Sequence, residues 1–368
     1  MGDDDDGEIK KLLKVWIISI TSLCYCYFIS SRFPKGLTRL LSLLPIMSLF
    51  TLLPLNLSNF HFTGVTSFFL TWLANFKLLL FAFDQGPLSS PTIKLVHFIL
   101  VASLPIKIKP HPSPKSPPKP SPSHQKYSKN NNKSHHQPQF PRSIIKPILL
   151  VVKAVILILL FIVYDYREYF NHYVLLCLYC FHMYLELEMV LSLFAIPARF
   201  LRFELEPQFN EPYLTTSLQD FWGSRWNLMV TSILRPTVYY PIRRISTYII
   251  GASRKDGAQL VGVVATFVVS GLMHELIYYY LTLVPPTWEV TWFFVLQGVC
   301  VAIEIVVKRS VADRWHLHRA VSGPLSLGFV AATGFWLFFP QLLRNKSDEK
   351  ALRELSILVD FIKRIVKL

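Results

Sequence analysis

The sequence predicts an all-α polytopic membrane protein of about eight or nine transmembrane helices with re-entrant or interfacial segments. Three observations carry this. Of 368 residues, 52% are hydrophobic and only 17% charged, where a soluble domain carries about 25% charged residues. Mean hydropathy is +0.38, which excludes an ordinary soluble globular protein. Apolar windows near crossing length recur at 12–31, 37–57, 62–83, 92–108, 144–164, 173–196, 258–283, 288–307 and 322–343, with a broken one at 228–250.

The N-terminus runs Asp3 to Asp6 and then Lys10, Lys11 and Lys14 before the first window. Asp6 stands where a myristoylation motif wants Ser or Thr. No small-residue cleavage site follows Val15 to Ile29, so that stretch reads as the first anchor. With the next three windows it makes an N-terminal transmembrane group, 1–108. Pro45, Pro54, Pro105, Pro147, Pro236, Pro241 and Pro340 fall in or beside the windows. Each frees a backbone carbonyl that lipid cannot satisfy, so these helices should pack inside protein or line a cavity.

Residues 109–142 differ from the rest, with nine prolines, seven Lys/Arg and no acid. Such a segment cannot bury a core and reads as a disordered cytosolic loop, its histidines (His111, His124, His135, His136) solvated. Its cations supply nearly half of the net charge of +15. That charge, which in a soluble chain would suggest nucleic acid, therefore points to loops and membrane interface, with no nucleic-acid partner. Residues 143–343 form the core. The tail, 344–368, reads as an amphipathic helix on the membrane, with Leu352, Leu355, Val359 and Ile362 on one face. Cys24, Cys26, Cys177, Cys180 and Cys300 all lie in apolar stretches, with neither a disulfide framework nor a zinc spacing. No metal site is expected.

The polar residues inside this apolar mass are the informative ones. From Pro197 to Arg244, acids, arginines, prolines and aromatics mix at a density found nowhere else in the chain. This composition suits an interfacial or re-entrant segment folded against protein. Asn227 sits within it, at the mouth of the following window. Its amide could orient a substrate carbonyl or an imidazole, or simply cap a helix. His274 lies near the middle of the 258–283 window, where an ionisable residue is expensive and points to function. Helical spacing puts Ser270, Ile277 and Tyr278 on its face, and the small pair Ser270-Gly271 permits close approach of another helix. Glu275 points away by about a quarter turn. Glu186 and Glu188, two apart on a helix, do not share a face and are no catalytic dyad. With Lys153 and Glu304 they could pair or line a polar tunnel, and Lys153 could instead snorkel. Phosphate-loop, HExxH and Gly-x-Ser-x-Gly motifs are absent, which argues against nucleotide-driven, zincin and serine-esterase chemistry.

LEPQFNEPYLTTSLQDFWGSRWNLMVTSILRPTVY and FVVSGLMHELIYYY together, with WLANFKLLLFAFDQGPLS and WLFFP more loosely, resemble the membrane-bound O-acyltransferase superfamily. Within it the chain is most similar to the plant wax synthase branch, long-chain-alcohol O-fatty-acyltransferases, which also holds sterol O-acyltransferases and diacylglycerol acetyltransferases. The resemblance spans most of the chain except 109–142. It implies a multi-pass protein of the endoplasmic reticulum that joins an acyl group from acyl-CoA to a membrane-dissolved alcohol in a buried tunnel containing His274. Acyl-CoA is then a co-substrate, with no resident cofactor.

His274 matches the family's catalytic histidine and would be the general base, since imidazole titrates near neutrality. Asn227 matches the second characteristic polar residue and would stabilise the carbonyl or orient His274. Trp222, Arg225, Trp226, Arg235 and Tyr278 are the candidate substrate-binding residues. Arg243, Arg244 and Lys255 are further candidate cations for the CoA phosphates. The family pattern leads one to expect a basic residue before Arg225, where Ser224 stands. The acceptor stays open between fatty alcohol, sterol and diacylglycerol, with donors down to acetyl-CoA. A covalent acyl-Cys route lacks an activating signature around Cys300. A lipid or proton-coupled transporter is the non-enzymatic alternative, against which no internal duplication is visible.

Overall fold

The computed structural model describes residues 2–90, 93–106, 142–201, 203, 205–251, 255–311 and 318–366. The loop expected over 109–142 therefore lies, but for Arg142, outside the described residues. Among those described, seven helices are long and apolar enough to cross a membrane: Gly7–Arg32, Leu37–Asn56, Phe60–Ala82, His172–Phe200, Asp256–Thr282, Glu289–Ser310 and Arg319–Phe338. A shorter apolar helix covers Ile148–Tyr164. The 92–108 window does not form the crossing its hydropathy suggested: its helix, Leu95–Ser103, has only nine residues.

Pro105 explains how that short helix ends. A proline at this position cannot donate to the carbonyl of Val101, four residues back. Lys77 takes over, donating from Nζ to Val101 O at 2.6 Å and to Leu104 O at 2.7 Å. Lys77 is 0% exposed. The Lys77 amino group thus caps a helix that stops within the apolar mass, satisfying carbonyls that its last turn leaves without an N–H partner.

The chain divides into two compact units, Met1–Lys107 with Val190–Leu368 and Ile108–Met189. Within the second unit, Lys153 is paired: Nζ meets Glu188 Oε2 at 2.7 Å and the Tyr184 hydroxyl at 2.8 Å. His182 Nε2 lies 3.4 Å from Glu186. Glu186 and Glu188 thus have different partners, as expected of carboxylates on different faces.

In the larger unit, Phe60–Ala82 is the most enclosed of the seven helices, with 78% of its apolar window buried against 17–44% for the others. A π-helical stretch, Ser67–Ala74, interrupts it. Further π turns occupy Phe221–Arg225, Arg235–Tyr239 and Gly334–Phe338, the last two holding Pro236 or leading to Pro340. Such turns take up the ladder mismatch that a proline or a functional constraint creates.

Glycines set the spacing between Lys255–Thr282 and its neighbour Glu289–Val311. A Cβ on Gly271 would stand 3.0 Å from Thr291 Cα, and one on Gly298 only 2.7 Å from Phe267 Cβ. Gly298→Ala is expected to force the two helices apart at a cost of about 1–3 kcal/mol, read as a lowered melting temperature in detergent.

The tail forms a helix, Ser347–Val366. The side chains of Val359 and Ile362 lie outside the described residues, so the expected apolar face is seen only at Leu352 and Leu355, both half-buried. The tail is also anchored by polar contacts to protein. Glu354 accepts from the backbone of Phe60 and His61 and meets His61 Nδ1 at 2.8 Å, and Lys350 Nζ donates to Ser58 O. Asn59 caps the same helix start by accepting from Phe62 N. Acids at a helix N-terminus satisfy its unpaired N–H groups and its dipole.

Candidate active site

His274 sits on the Lys255–Thr282 helix with Nδ1 2.8 Å from Ser270 O, one turn back. A carbonyl can only accept, so Nδ1 carries the ring proton and Nε2 keeps its lone pair. The ring is enclosed by aromatics from three other parts of the chain. Phe294 stacks on it at 4.2 Å and 25°, Trp72 meets it edge to face at 5.0 Å, and Phe338 lies 6.0 Å away. Tyr278, one turn on, is 3% exposed and donates to Phe338 O at 2.9 Å, which fixes the π turn carrying that ring. Tyr278 thus acts here through Phe338.

Glu275 faces elsewhere, as its angle on the helix indicated. It accepts from Trp288 N, Thr291 N and Thr291 Oγ1, and so caps the start of the Glu289–Val311 helix on which Phe294 stands. Gln297 on the same helix accepts from Trp222 Nε1 at 3.1 Å and donates to Thr333 Oγ1 at 2.8 Å. Trp222 in turn packs against Phe267, Phe293 and Phe294. The segment before Asn227 is thereby held on the ring that stacks on His274.

Asn227 has left-handed backbone, φ +38°, a conformation that asparagine tolerates better than most residues. Its Oδ1 accepts from Val230 N at 3.3 Å and caps Leu228–Leu234. The amide nitrogen has no hydrogen-bonded protein acceptor among the described residues. Thr231, one turn beyond, donates to Trp222 O.

The interfacial segment is folded against protein, as its composition required. Asn210 N bonds Arg225 O, Leu228 N bonds Gln208 O, and Gln219 N bonds Glu304 Oε2. Glu304 also pairs with Lys308. Arg225 is engaged inside this loop: Nε donates to Asp220 Oδ2 at 2.6 Å, and Nη1 donates to Asn210 O and Glu211 O, each at 3.3 Å. Trp226 stacks on Phe221 at 5.4 Å. Arg235 is exposed and donates weakly to Gly223 O at 3.4 Å. Arg243 and Arg244 lie on a separate helix, Tyr240–Ile250. The Lys255 side chain is outside the described residues. The structure therefore gathers His274, Tyr278 and Trp222, while Arg225 and Trp226 serve the loop.

Burial would raise the Asp220 pKa, but the Arg225 hydrogen bond and charge and the Thr216 backbone N–H outweigh it and hold the carboxyl below its ordinary value. Stability from this group is complete above the unfolded-chain value, about pH 4, and is lost as pH falls through the lower folded value. Asp220→Asn is expected to be less heat-stable than wild type at pH 7, and the gap to narrow as the pH is lowered below about 4. Thermal unfolding in detergent across that range measures it.

Sequence reasoning missed Trp72, Phe294, Phe338 and Gln297. Trp72 is 2% exposed, and its Nε1 is buried without a hydrogen-bond partner among the described residues. Leaving such a donor unpaired costs about 1–3 kcal/mol. Its only prior signal was its place at the head of WLANFKLLLFAFDQGPLS.

A model of the membrane bound O-acyl transferase family matches residues 205–296, a span that holds both Asn227 and His274. At full length the chain is similar to a probable long-chain-alcohol O-fatty-acyltransferase of Arabidopsis thaliana, 48% identical over 361 residues, covering 97% of this chain and 98% of that protein. A long-chain-alcohol O-fatty-acyltransferase of Simmondsia chinensis is 46% identical over 362 residues, 98% of this chain and 97% of that one. An acyl-CoA–sterol O-acyltransferase of Arabidopsis thaliana is 41% identical over 356 residues, 96% of each.

Proposed function

Because the chain belongs to the membrane-bound O-acyltransferase family and is a multi-pass enzyme that esterifies an alcohol, we propose that it makes wax esters from fatty acyl-CoA and a long-chain fatty alcohol, with His274 as general base. The observation that carries the mechanism is the bond from Nδ1 to Ser270 O. It leaves Nε2 basic and the ring fixed among apolar walls.

A free alcohol is a weak nucleophile. Nε2 takes its proton as the oxygen attacks the thioester carbonyl, and the imidazolium returns that proton to the departing CoA thiolate. The bond from Nδ1 to a fixed carbonyl stabilises the ring in its protonated form and holds its orientation. Asn227 spends its oxygen on the helix cap and keeps its amide hydrogens for an oxyanion or for substrate. Asn227→Asp keeps a cap acceptor but loses the donor, so it is expected to lower kcat by at least about tenfold while the melting temperature holds; Asn227→Ala should lower both.

The endoplasmic reticulum, where acyl-CoA reaches the membrane from the cytosol, is the proposed location. Arg235, exposed beside the interfacial loop, is the candidate cation for the CoA phosphates. A sterol acceptor is the second reading, supported by the 41% identity to a sterol acyltransferase. Yeast lacking its own sterol and glyceride acyltransferases, expressing this chain and fed each alcohol in turn, separates them. Wax ester in excess is the expected product; dominant steryl ester or triglyceride would overturn the acceptor assignment.

A further inference from the structure

We propose that the indole N–H of Trp72 is a second catalytic donor, binding the carbonyl oxygen of the acyl thioester beside His274 and holding it as it becomes an oxyanion. This rests on the reading of His274 as the base. Trp72 meets the imidazole edge to face with ring centres 5.0 Å apart, so the indole is part of the wall around the proposed base. Trp72 shares a buried cluster with Leu234 and Val238, against which Phe68, Phe76 and Val230 also pack. Nε1 is fully buried and unpartnered among the described residues. A phenylalanine would fill such a site without burying a bare donor, so the N–H needs an acceptor that arrives with substrate.

The position is also rigid. Trp72 lies in the π-helical stretch Ser67–Ala74, and irregular turns of this kind recur at functional sites. Thr71 Oγ1 donates to Phe50 O, and Asn75 Nδ2 to Met47 O and Thr51 Oγ1, fastening the stretch on either side of the indole. A preorganised donor in a dry site is the arrangement that stabilises developing charge most.

Two reacting oxygens come to this place, and chemistry chooses between them. A donor on the alcohol oxygen would weaken the nucleophile; on the thioester carbonyl it favours attack. The alcohol O–H breaks with its proton passing to Nε2, the new C–O bond forms, and the carbonyl π pair moves onto the oxygen held by Trp72. Collapse of that oxyanion breaks the C–S bond, and the thiolate recovers the proton from the imidazolium. Trp72 keeps its own hydrogen throughout.

The test replaces Trp72 with benzothienylalanine by amber suppression, which keeps ring shape and removes the donor, alongside Trp72→Phe. The expected result is a fall in kcat of at least about tenfold with both KM values within about twofold. Affinity for an acyl-CoA analogue in which a difluoromethylene ketone (–CO–CF2–) replaces the thioester should fall in parallel, because its hydrate mimics the tetrahedral oxyanion. Wild-type kcat in the benzothienyl variant would overturn the proposal, even if Trp72→Phe fails to fold. A rise in KM alone would also overturn it, marking Trp72 as a binding wall. His274→Ala in the same membranes reports on the base separately: normal turnover there refutes the base whatever the Trp72 variants do.

Discussion

Replacing His274 with alanine is expected to lower ester formation by at least about a hundredfold, measured as labelled acyl-CoA converted to ester in microsomes with saturating alcohol. The ring has two separable functions, and variants resolve them. His274→Gln can still donate to Ser270 O but has no basic lone pair, so it should be as inactive as alanine while keeping more of the wild-type melting temperature. Alanine leaves a gap between Phe294 and Trp72, rings now 4.2 and 5.0 Å from the imidazole, and should lose heat stability as well. Near wild-type turnover in either variant would refute His274 as the base.

Removing the Lys77 amino group is expected to be the most destabilising single change in the N-terminal helices. Lys77→Met keeps the stem and its packing but strips Val101 O of the donor that Pro105 denies it. Loss of two hydrogen bonds to buried carbonyls costs about 2–4 kcal/mol, or roughly 5 °C or more in melting temperature. The cause can be verified by rescue. Pro105→Ala restores a backbone N–H for Val101 O, so the double variant should regain part of the loss. If it does not, the lysine stabilises this region by some other means.

What could be read from the sequence was local. His274, the residues sharing its face, the close approach at Gly271 and the divergence of Glu275 all follow from helical spacing within one window. The interfacial segment followed from a composition that neither water nor lipid accepts. The walls of the site did not follow, because they depend on tertiary contact: Trp72 stands about two hundred residues before His274, and nothing in its apolar surroundings distinguishes it from a core tryptophan. Hydropathy likewise could not show that 92–108 stops after nine helical residues, since a lysine from another helix supplies the ending. The contacts of Arg225 were not legible in the sequence either. Its place in a matching motif suggested ligand binding, and its distances show a guanidinium engaged by Asp220 and two backbone carbonyls.

The edge-to-face contact between Trp72 and His274 has a consequence for biogenesis. During synthesis the tryptophan enters the membrane with the third crossing, whereas the histidine emerges only after the interfacial segment has been made. A stretch confined to 205–296 contains both Asn227 and His274, yet as an excised fragment it would lack two of the three aromatic walls of the imidazole, Trp72 and Phe338. Competence is thus expected late, when the N-terminal helices and the nascent C-terminal half have docked, and premature chain termination before residue 274 should leave a membrane-inserted but inert product.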